Sequence, residues 1–132
     1  LGIPPQAIET SIGIVRAYMA RGGKGNFPTY LDDEVGSHML NVGNEFGSTA
    51  GKPKRCGWLD LNVIQYATMI NGCTSLNLTK LDVMTGLSEL KICIGYKLGK
   101  REYIGEMPPA IEDFEKCSPI YENLSGWDED IR

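Results

Sequence analysis

Four consecutive residues, TKLD at positions 79–82, carry the most specific potential chemistry in this sequence. One carboxylate can accept hydrogen bonds from both the ring N–H and the exocyclic amine of guanine, a bidentate contact that adenine cannot offer. The methylene stem of a nearby lysine can lie along the base while its ammonium stays hydrated. Lys80 and Asp82 therefore fit a guanine site, and a salt bridge at the end of a strand is the alternative.

A second candidate is the loop GSTAGKPKR at positions 47–55. Its glycines, Gly47 and Gly51, allow a ligand to approach the backbone closely. Hydroxyl and cationic donors follow one another along the loop: Ser48, Thr49, Lys52, Lys54 and Arg55. Such a loop could hold a small anion, for example a dicarboxylate or a phosphate. A solvated surface turn before a capped helix is the alternative.

The remaining polar candidates carry less information. The segment RGGKGNFP at positions 21–28 is a flexible glycine loop, but it lacks the GxxxxGK[ST] order of a phosphate loop. His38 lies inside a predicted helix, where we expect a packing or surface histidine rather than a general base. Glu45, Glu89 and Glu122 show no pairing that would indicate acid/base catalysis by carboxylates.

The composition limits the class of protein. A chain of 132 residues with a formal charge of -4 and 42% hydrophobic residues is typical of one soluble globular domain, so residues 1–132 are treated as a single region. No apolar run is long enough to span a membrane, and no basic stripe interleaved with aromatic residues indicates nucleic-acid binding. The chain begins with Leu1 rather than Met, which suggests a piece of a longer protein.

The cysteines Cys56, Cys73, Cys93 and Cys117 lie far apart and include no CxxC pair. This spacing argues against a metal site or a redox motif. We expect reduced, buried thiols and therefore an intracellular protein, with two disulfides as the alternative for an even count.

The elements that must position these residues are predicted from caps and periodicity. After a possible helical turn behind Pro4 and Pro5, a partly buried strand passes through residues 12–18. One helix is predicted from Asp33 toward Asn44 and a second over residues 61–70. The second helix has Asp60 as its N-cap and Gly72 at its end. Its apolar stripe consists of Leu61, Ile64, Ala67 and Ile70. Further elements are strands over residues 75–82 and 87–98, a hairpin return near 101–109, a short helix near 110–117 and a strand over 118–124. This order predicts an α/β fold with a late antiparallel hairpin.

Taken in order, several long motifs closely resemble the C-terminal part of adenylosuccinate synthase. They are RGGKGNFPT, GNEFGSTAGKPKRCGWLDL, NLTKLDVMTGLSELKICIGY and PIYENLSGW, and the resemblance covers essentially the whole chain. It implies an α/β segment of a large mixed sheet with flanking helices, in a cytoplasmic enzyme that is usually a homodimer. That enzyme joins L-aspartate to IMP in AMP biosynthesis: GTP phosphorylates the 6-oxygen of IMP, and the aspartate amine displaces the phosphate.

The resemblance also implies roles for individual residues. The family's TKLD binds guanine, so Lys80 and Asp82, together with Lys54, are the expected GTP-binding residues. The family's hydroxyl-rich loop closes over aspartate beside IMP, and the residues in the matching places here are Ser48, Thr49, Ala50, Gly51 and Lys52. In the glycine loop, Gly22 stands at the position that lines the nucleotide pocket.

Ligand-facing positions depart from the family pattern. The two loop arginines of the family are Lys52 and Lys54 here, one loop threonine is Ala50, and the valine that lines the nucleotide pocket is Gly22. Arginine binds a carboxylate through two parallel hydrogen bonds, whereas lysine offers a point charge. We therefore expect weaker aspartate capture.

The family's remaining machinery is expected outside this segment. Its phosphate loop, magnesium ligands and catalytic aspartate and histidine would lie upstream of Leu1, and a last part of the GTP site beyond Arg132. The resemblance therefore implies no catalytic residue and no metal ligand in this segment, with Mg²⁺ held elsewhere, and the segment alone is not expected to be catalytic. The alternative function is a non-catalytic homologue that acts as a nucleotide-binding or interaction module.

Overall fold

The computed structural model describes residues 2–131. Its strands are β1 (Ile12–Arg16), β2 (Tyr18–Arg21), β3 (Arg55–Asp60), β4 (Ser75–Thr79), β5 (Glu89–Leu98), β6 (Arg101–Ile104) and β7 (Ser118–Ser125). Its helices are α1 (Glu34–Val42), α2 (Leu61–Asn71) and α3 (Ile111–Phe114), with 3-10 turns at Pro5–Ala7 and Leu81–Met84. The predicted helical turn behind Pro4 is confirmed.

The strands form two sheets, and together they confirm the predicted mixed α/β class. Five strands make a mixed sheet in the order β2-β3-β5-β6, with β7 also paired to β5. β3 runs parallel to β5, whereas β6 and β7 run antiparallel to it. The late hairpin β5–β6 turns at Gly99, which has φ +59°, as expected for a tight turn. Separately, β1 and β4 form a parallel pair that aligns Arg16 with Thr79.

The predicted helix caps are confirmed. Asp33 accepts a hydrogen bond from the backbone N–H of Gly36 at 2.9 Å at the start of α1. Asp60 accepts from the N–H groups of Asn62 and Val63 at the start of α2. Gly72 ends α2 in the left-handed conformation, with φ +58°. Aspartate side chains therefore fix where both helices begin, and the backbone conformation of Gly72 fixes where α2 ends.

The core lies between α1, the 3-10 turn Leu81–Met84 and the larger sheet. Its buried side chains are Tyr18, Met39, Cys56, Trp58, Val83, Met84 and Leu90. His38 projects from α1, and its Nε2 lies 2.8 Å from the carbonyl oxygen of Val83, to which that nitrogen donates. The histidine thus joins α1 to this turn, as expected of a packing residue.

All four cysteines are free, as expected, but only Cys56 and Cys93 are buried. Burial raises the pKa of Cys56 to about 11 and that of Cys93 to about 12. Cys73 and Cys117 are half-buried, so the expectation of four buried thiols was wrong for these two.

Two strand predictions need correction. The strand expected over residues 75–82 ends at Thr79, because Lys80 takes the left-handed conformation (φ +59°) and Leu81–Met84 coil into a 3-10 turn. β3 was not predicted, because all five residues from Cys56 to Asp60 are buried and the strand shows no alternation.

The predictions for α2 and for the first strand also need correction. In α2 the buried residue is Asn62, whereas Leu61 and Ile70 of the predicted stripe are exposed. The strand predicted over residues 12–18 is divided into β1 and β2, which belong to different sheets, and Ile12 and Ile14 on β1 are exposed.

Candidate functional site

Strand pairing brings the two candidate loops to one end of the larger sheet. β2 and β3 are antiparallel with Arg21 opposite Arg55, so residues 22–26 leave the sheet where the 47–54 loop enters it. The Arg55 guanidinium donates to the carbonyl oxygen of Gly25 at 2.8 Å, and that of Arg21 donates to the carbonyl of Asn26 at 2.6 Å. Gly22 thus sits in a loop that is tied to the start of β3.

The 47–54 loop is a compact turn with an exposed tip. The N–H of Gly47 donates to the carbonyl of Lys52, and the N–H of Gly51 donates to the carbonyl of Gly47, each at 2.8 Å. Gly51 has φ +61°, which favours glycine at this position. The predicted ligand residues of the tip are all exposed: Ser48, Thr49, Ala50, Gly51 and Lys52. Their donors are open to a ligand.

Lys54, in contrast, turns inward toward a buried carboxylate. Its Nζ donates to Oε2 of Glu45 at 2.8 Å. Glu45 is 1% exposed, and its Oε1 accepts from the hydroxyl of Tyr18 at 2.9 Å. The same Oε1 lies 3.4 Å from Nε of Arg16 and 3.8 Å from Nζ of Lys80. We call Arg16, Tyr18, Glu45, Lys54 and Lys80 the Glu45 cluster.

The cluster keeps Glu45 ionised. Burial alone would raise the pKa of this carboxyl, but the hydrogen bonds from Lys54 and Tyr18 and the charges of Arg16 and Lys54 outweigh burial and lower the pKa. Burial, together with the hydrogen bond to Glu45, raises the pKa of Tyr18, so its hydroxyl remains a donor. The cluster therefore contains three cations around one anion.

Lys80 belongs to the Glu45 cluster, whereas Asp82 stands apart. The Lys80 ammonium donates to the carbonyl of Gly43 and faces Glu45. Asp82 lies on the 3-10 turn, half-buried, and its carboxylate makes no hydrogen bond or ion pair within residues 2–131. Over that range Lys80 and Asp82 form no salt bridge with each other, but Lys80 at the end of β4 pairs with Glu45, so the strand-end salt bridge remains an alternative interpretation of TKLD. Thr79 donates from its hydroxyl to the carbonyl of Val15 at 3.0 Å and fixes the end of β4.

A cavity of about 660 Å³ opens beside these groups, within the usual range for small-molecule sites. Its polar lining comes from Arg16, Tyr18, Thr79 and Lys80. The cavity lies at the carboxyl ends of the parallel strands β1 and β4, where open α/β sheets bind ligands.

Sequence reasoning missed Arg16 and Tyr18 as site residues and considered Glu45 only as an acid or base. Nothing local marks them, since each is one charged or polar residue in an ordinary strand or loop. The available signal was a lone glutamate two residues before a loop rich in cations.

The described residues offer no metal site. No group of three or more His, Cys, Asp or Glu side chains within residues 2–131 could hold a metal ion. The buried carboxylate of Glu45 is already engaged by cations, so it is not a ligand for Mg²⁺. In the same range no helix is both long and apolar enough to cross a membrane.

The chain is thus a mixed α/β protein with a cationic cavity at the carboxyl ends of two parallel strands, a place where α/β sheets hold ligands. The family model for adenylosuccinate synthetase matches residues 1–132. The chain therefore belongs to the adenylosuccinate synthetase family.

Individual relatives agree with this assignment. The chain is 48% identical over 131 residues to the adenylosuccinate synthetase of Caldanaerobacter subterraneus subsp. tengcongensis, and 52% identical over 130 residues to that of Alkaliphilus metalliredigens. These matches cover 99% and 98% of the chain but 30% of each relative. The structure of a fully ligated adenylosuccinate synthetase from Plasmodium falciparum superimposes with a TM-score of 0.91 at 40% identity, over 99% of this chain and 32% of that one. The chain thus spans about a third of the length of the proteins it matches.

Proposed function

We propose that this chain supplies the guanine-binding and aspartate-binding parts of an adenylosuccinate synthetase. This ligase of purine biosynthesis uses GTP to join L-aspartate to IMP. The observation that carries the proposal is the meeting of Lys54 and Lys80 at Glu45, which brings the base of the 47–54 loop next to the TKLD motif. Of these residues, Lys80 also lines the cavity. The names of the relatives support the same activity.

The proposed roles are those that the resemblance implies, and the positions of the residues are compatible with them. The unpaired carboxylate of Asp82 accepts from guanine, and the stem of Lys80 lies along the base. The donors of Ser48, Thr49 and Lys52 bind the carboxylates of aspartate, while Ala50 and Gly51 shape the tip. Lys54 acts on the GTP side from its place against Glu45. Gly22 occupies the nucleotide-pocket position of the glycine loop.

The proposal extends to the setting of the enzyme. It includes a cytoplasmic homodimer that binds no nucleic acid and no membrane, with Mg²⁺ held by residues outside this segment. The acidic composition, with a formal charge of -4, supports the absence of nucleic acid as a partner.

A second candidate is a non-catalytic homologue that binds nucleotide or a partner protein. Lysine at positions 52 and 54 and glycine at position 22 favour it, because each departs from the family at a ligand-facing position. Retention of TKLD favours the enzyme.

The substitution Asp82→Asn, made in the intact chain, tests the guanine site. Loss of a charged bidentate acceptor should weaken GTP binding roughly ten- to a hundredfold. Xanthosine triphosphate should bind the variant better than the parent, because its 2-oxo group can accept from the new amide. Calorimetric titration with both nucleotides measures these changes. The exposed Asp128→Asn is the matched control, and unchanged GTP affinity in Asp82→Asn would contradict the proposal.

A further inference from the structure

Glu45 is a buried carboxylate with no proposed part in the reaction. The groups around it come from separate parts of the chain: Arg16 ends β1, Tyr18 begins β2, Lys54 precedes β3 and Lys80 follows β4. A buried carboxylate is stable only when charges and hydrogen bonds compensate for its loss of hydration. In this cluster the compensating groups are residues of the proposed ligand sites and their neighbours.

The charge balance of the cluster favours an anionic ligand. Three cations surround one anion, so the cluster keeps a net charge of about +2. The cationic side chains stay partly open to solvent, with exposures of 42% for Arg16, 26% for Lys54 and 38% for Lys80. Glu45 therefore gathers cations that would otherwise repel one another beside the cavity.

Glu45 makes two hydrogen bonds to Lys54 at the base of the 47–54 loop. Its carbonyl oxygen accepts from the backbone N–H of Lys54 at 2.9 Å, and its carboxylate accepts from the ammonium of the same residue at 2.8 Å. Lys80 is attached to the same short segment, because its ammonium donates to Gly43 and faces Glu45. The loop and the TKLD motif thus share one point of attachment.

We propose that Glu45 is a positioning residue that couples the guanine site to the aspartate site. This inference rests on the proposed function. A guanine nucleotide that orders Lys80 also orders Glu45, Lys54 and the base of the loop, so aspartate binds to a loop that is already formed. Coupling between sites is reciprocal, so aspartate strengthens nucleotide binding by the same factor.

The substitution Glu45→Gln tests the coupling. Glutamine keeps the size of the side chain and can still accept from Tyr18, but its neutral amide no longer attracts Lys54 and Lys80. In the intact chain with IMP present, the Kd of L-aspartate is measured by calorimetry with and without a non-hydrolysable GTP analogue. The parent should bind aspartate about fivefold or more tightly with the analogue, and Glu45→Gln should lose this difference.

Two further variants separate positioning from a general loss of structure. Glu102→Gln removes an exposed pair with Lys97 and should keep the full coupling factor. Glu45→Asp keeps the negative charge, but its shorter side chain moves the carboxylate away from the lysines. The Lys80 contact, already at 3.8 Å, should therefore be lost before the Lys54 contact at 2.8 Å. The coupling factor of Glu45→Asp should fall, whereas its affinity for aspartate without the analogue should persist. If Glu45→Gln does not fold, Glu45→Asp is the variant that tests the role of Glu45.

The possible results of these titrations distinguish failure of this inference from failure of the proposed function. A parent that binds neither the GTP analogue nor aspartate overturns the proposed function and this inference with it. A parent that binds both ligands without coupling overturns the inference alone. A parent that shows coupling, together with folded Glu45 variants that retain the parent's coupling factor, overturns the role of Glu45 alone.

Discussion

At the scale of residues, the two lysines for which the resemblance implies arginines in the family, Lys52 and Lys54, differ in their surroundings. Lys54 donates to the buried Glu45, so its ammonium is already engaged. Lys52 lies exposed at the tip of the 47–54 loop and is free of any side-chain partner within the described residues 2–131. A change from arginine to lysine therefore has different consequences at the two positions. We propose that at position 52 it affects a direct contact with the ligand, whereas at position 54 it affects the attachment of the loop.

The first prediction concerns Lys52. In the proposed enzyme, Lys52→Arg should lower the KM for aspartate several-fold, because a guanidinium can bind a carboxylate through two parallel hydrogen bonds. Steady-state kinetics at saturating IMP and GTP measures the change, with Lys100→Arg, on the exposed β5–β6 turn, as control. An unchanged KM would mean that the 47–54 loop does not contact aspartate.

At the scale of elements, Asp60 connects α2 to the larger sheet. Its carboxylate caps α2 through Asn62 and Val63, and its other oxygen accepts from the hydroxyl of Tyr96 on β5. Burial, and then the hydrogen bond to Asp60, raises the pKa of Tyr96, which keeps that hydroxyl a donor. One side chain therefore sets both the start of a helix and its attachment to a strand.

The second prediction compares the two helix caps. Asp60→Ala should lower the free energy of unfolding by about 2–4 kcal/mol, because it removes a cap and takes from the buried Tyr96 hydroxyl its carboxylate acceptor. Asp33→Ala, the matched control at an exposed cap, should cost about 1 kcal/mol. Urea denaturation of both variants gives the comparison. Equal losses would show that the Asp60–Tyr96 contact adds nothing.

At the scale of the whole molecule, the small β1–β4 sheet differs from the rest. Its exposed apolar side chains are Ile12 and Ile14 on β1, and Leu76 and Leu78 on β4. Parallel sheets are usually covered on both faces. The core is built instead on the larger sheet, where β3 is buried from Cys56 to Asp60. The Glu45 cluster links the ends of β1 and β4 to the larger sheet through ion pairs.

The third prediction concerns the pH dependence of stability. The pKa of Glu45 is lower in the folded chain than its ordinary value of 4.5. Its contribution to the free energy of unfolding is therefore fully present above the unfolded pKa and is lost as the pH falls through the folded pKa. Glu45→Gln should be less stable at pH 7 and should show a shallower loss of stability below pH 4.5.

Urea denaturation between pH 3 and pH 7 measures this difference. Glu102→Gln, in an exposed ion pair, should follow the parent curve. Parallel curves for the parent and Glu45→Gln would show that the buried carboxylate gains nothing from its cations.

The sequence by itself determined the features that depend on neighbours along the chain. Asp33 and Asp60 cap their helices, Gly72 and Gly99 turn the backbone, and β5 and β7 lie where they were expected. The quoted motifs were sufficient to identify the family, which the family model confirms. Such features follow from hydrogen bonds and conformational preferences that act over a few residues.

The tertiary structure alone decided which face of each element is buried and which charges meet. Asn62 rather than the apolar stripe of α2 is buried, and Lys80 turns away from the extended path through its left-handed conformation. Glu45, Lys54 and Lys80 come together because strand pairing brings distant segments to one place, and a buried carboxylate attracts whichever cations can reach it. Long-range charge compensation depends on position in space, which a local pattern of residues does not encode.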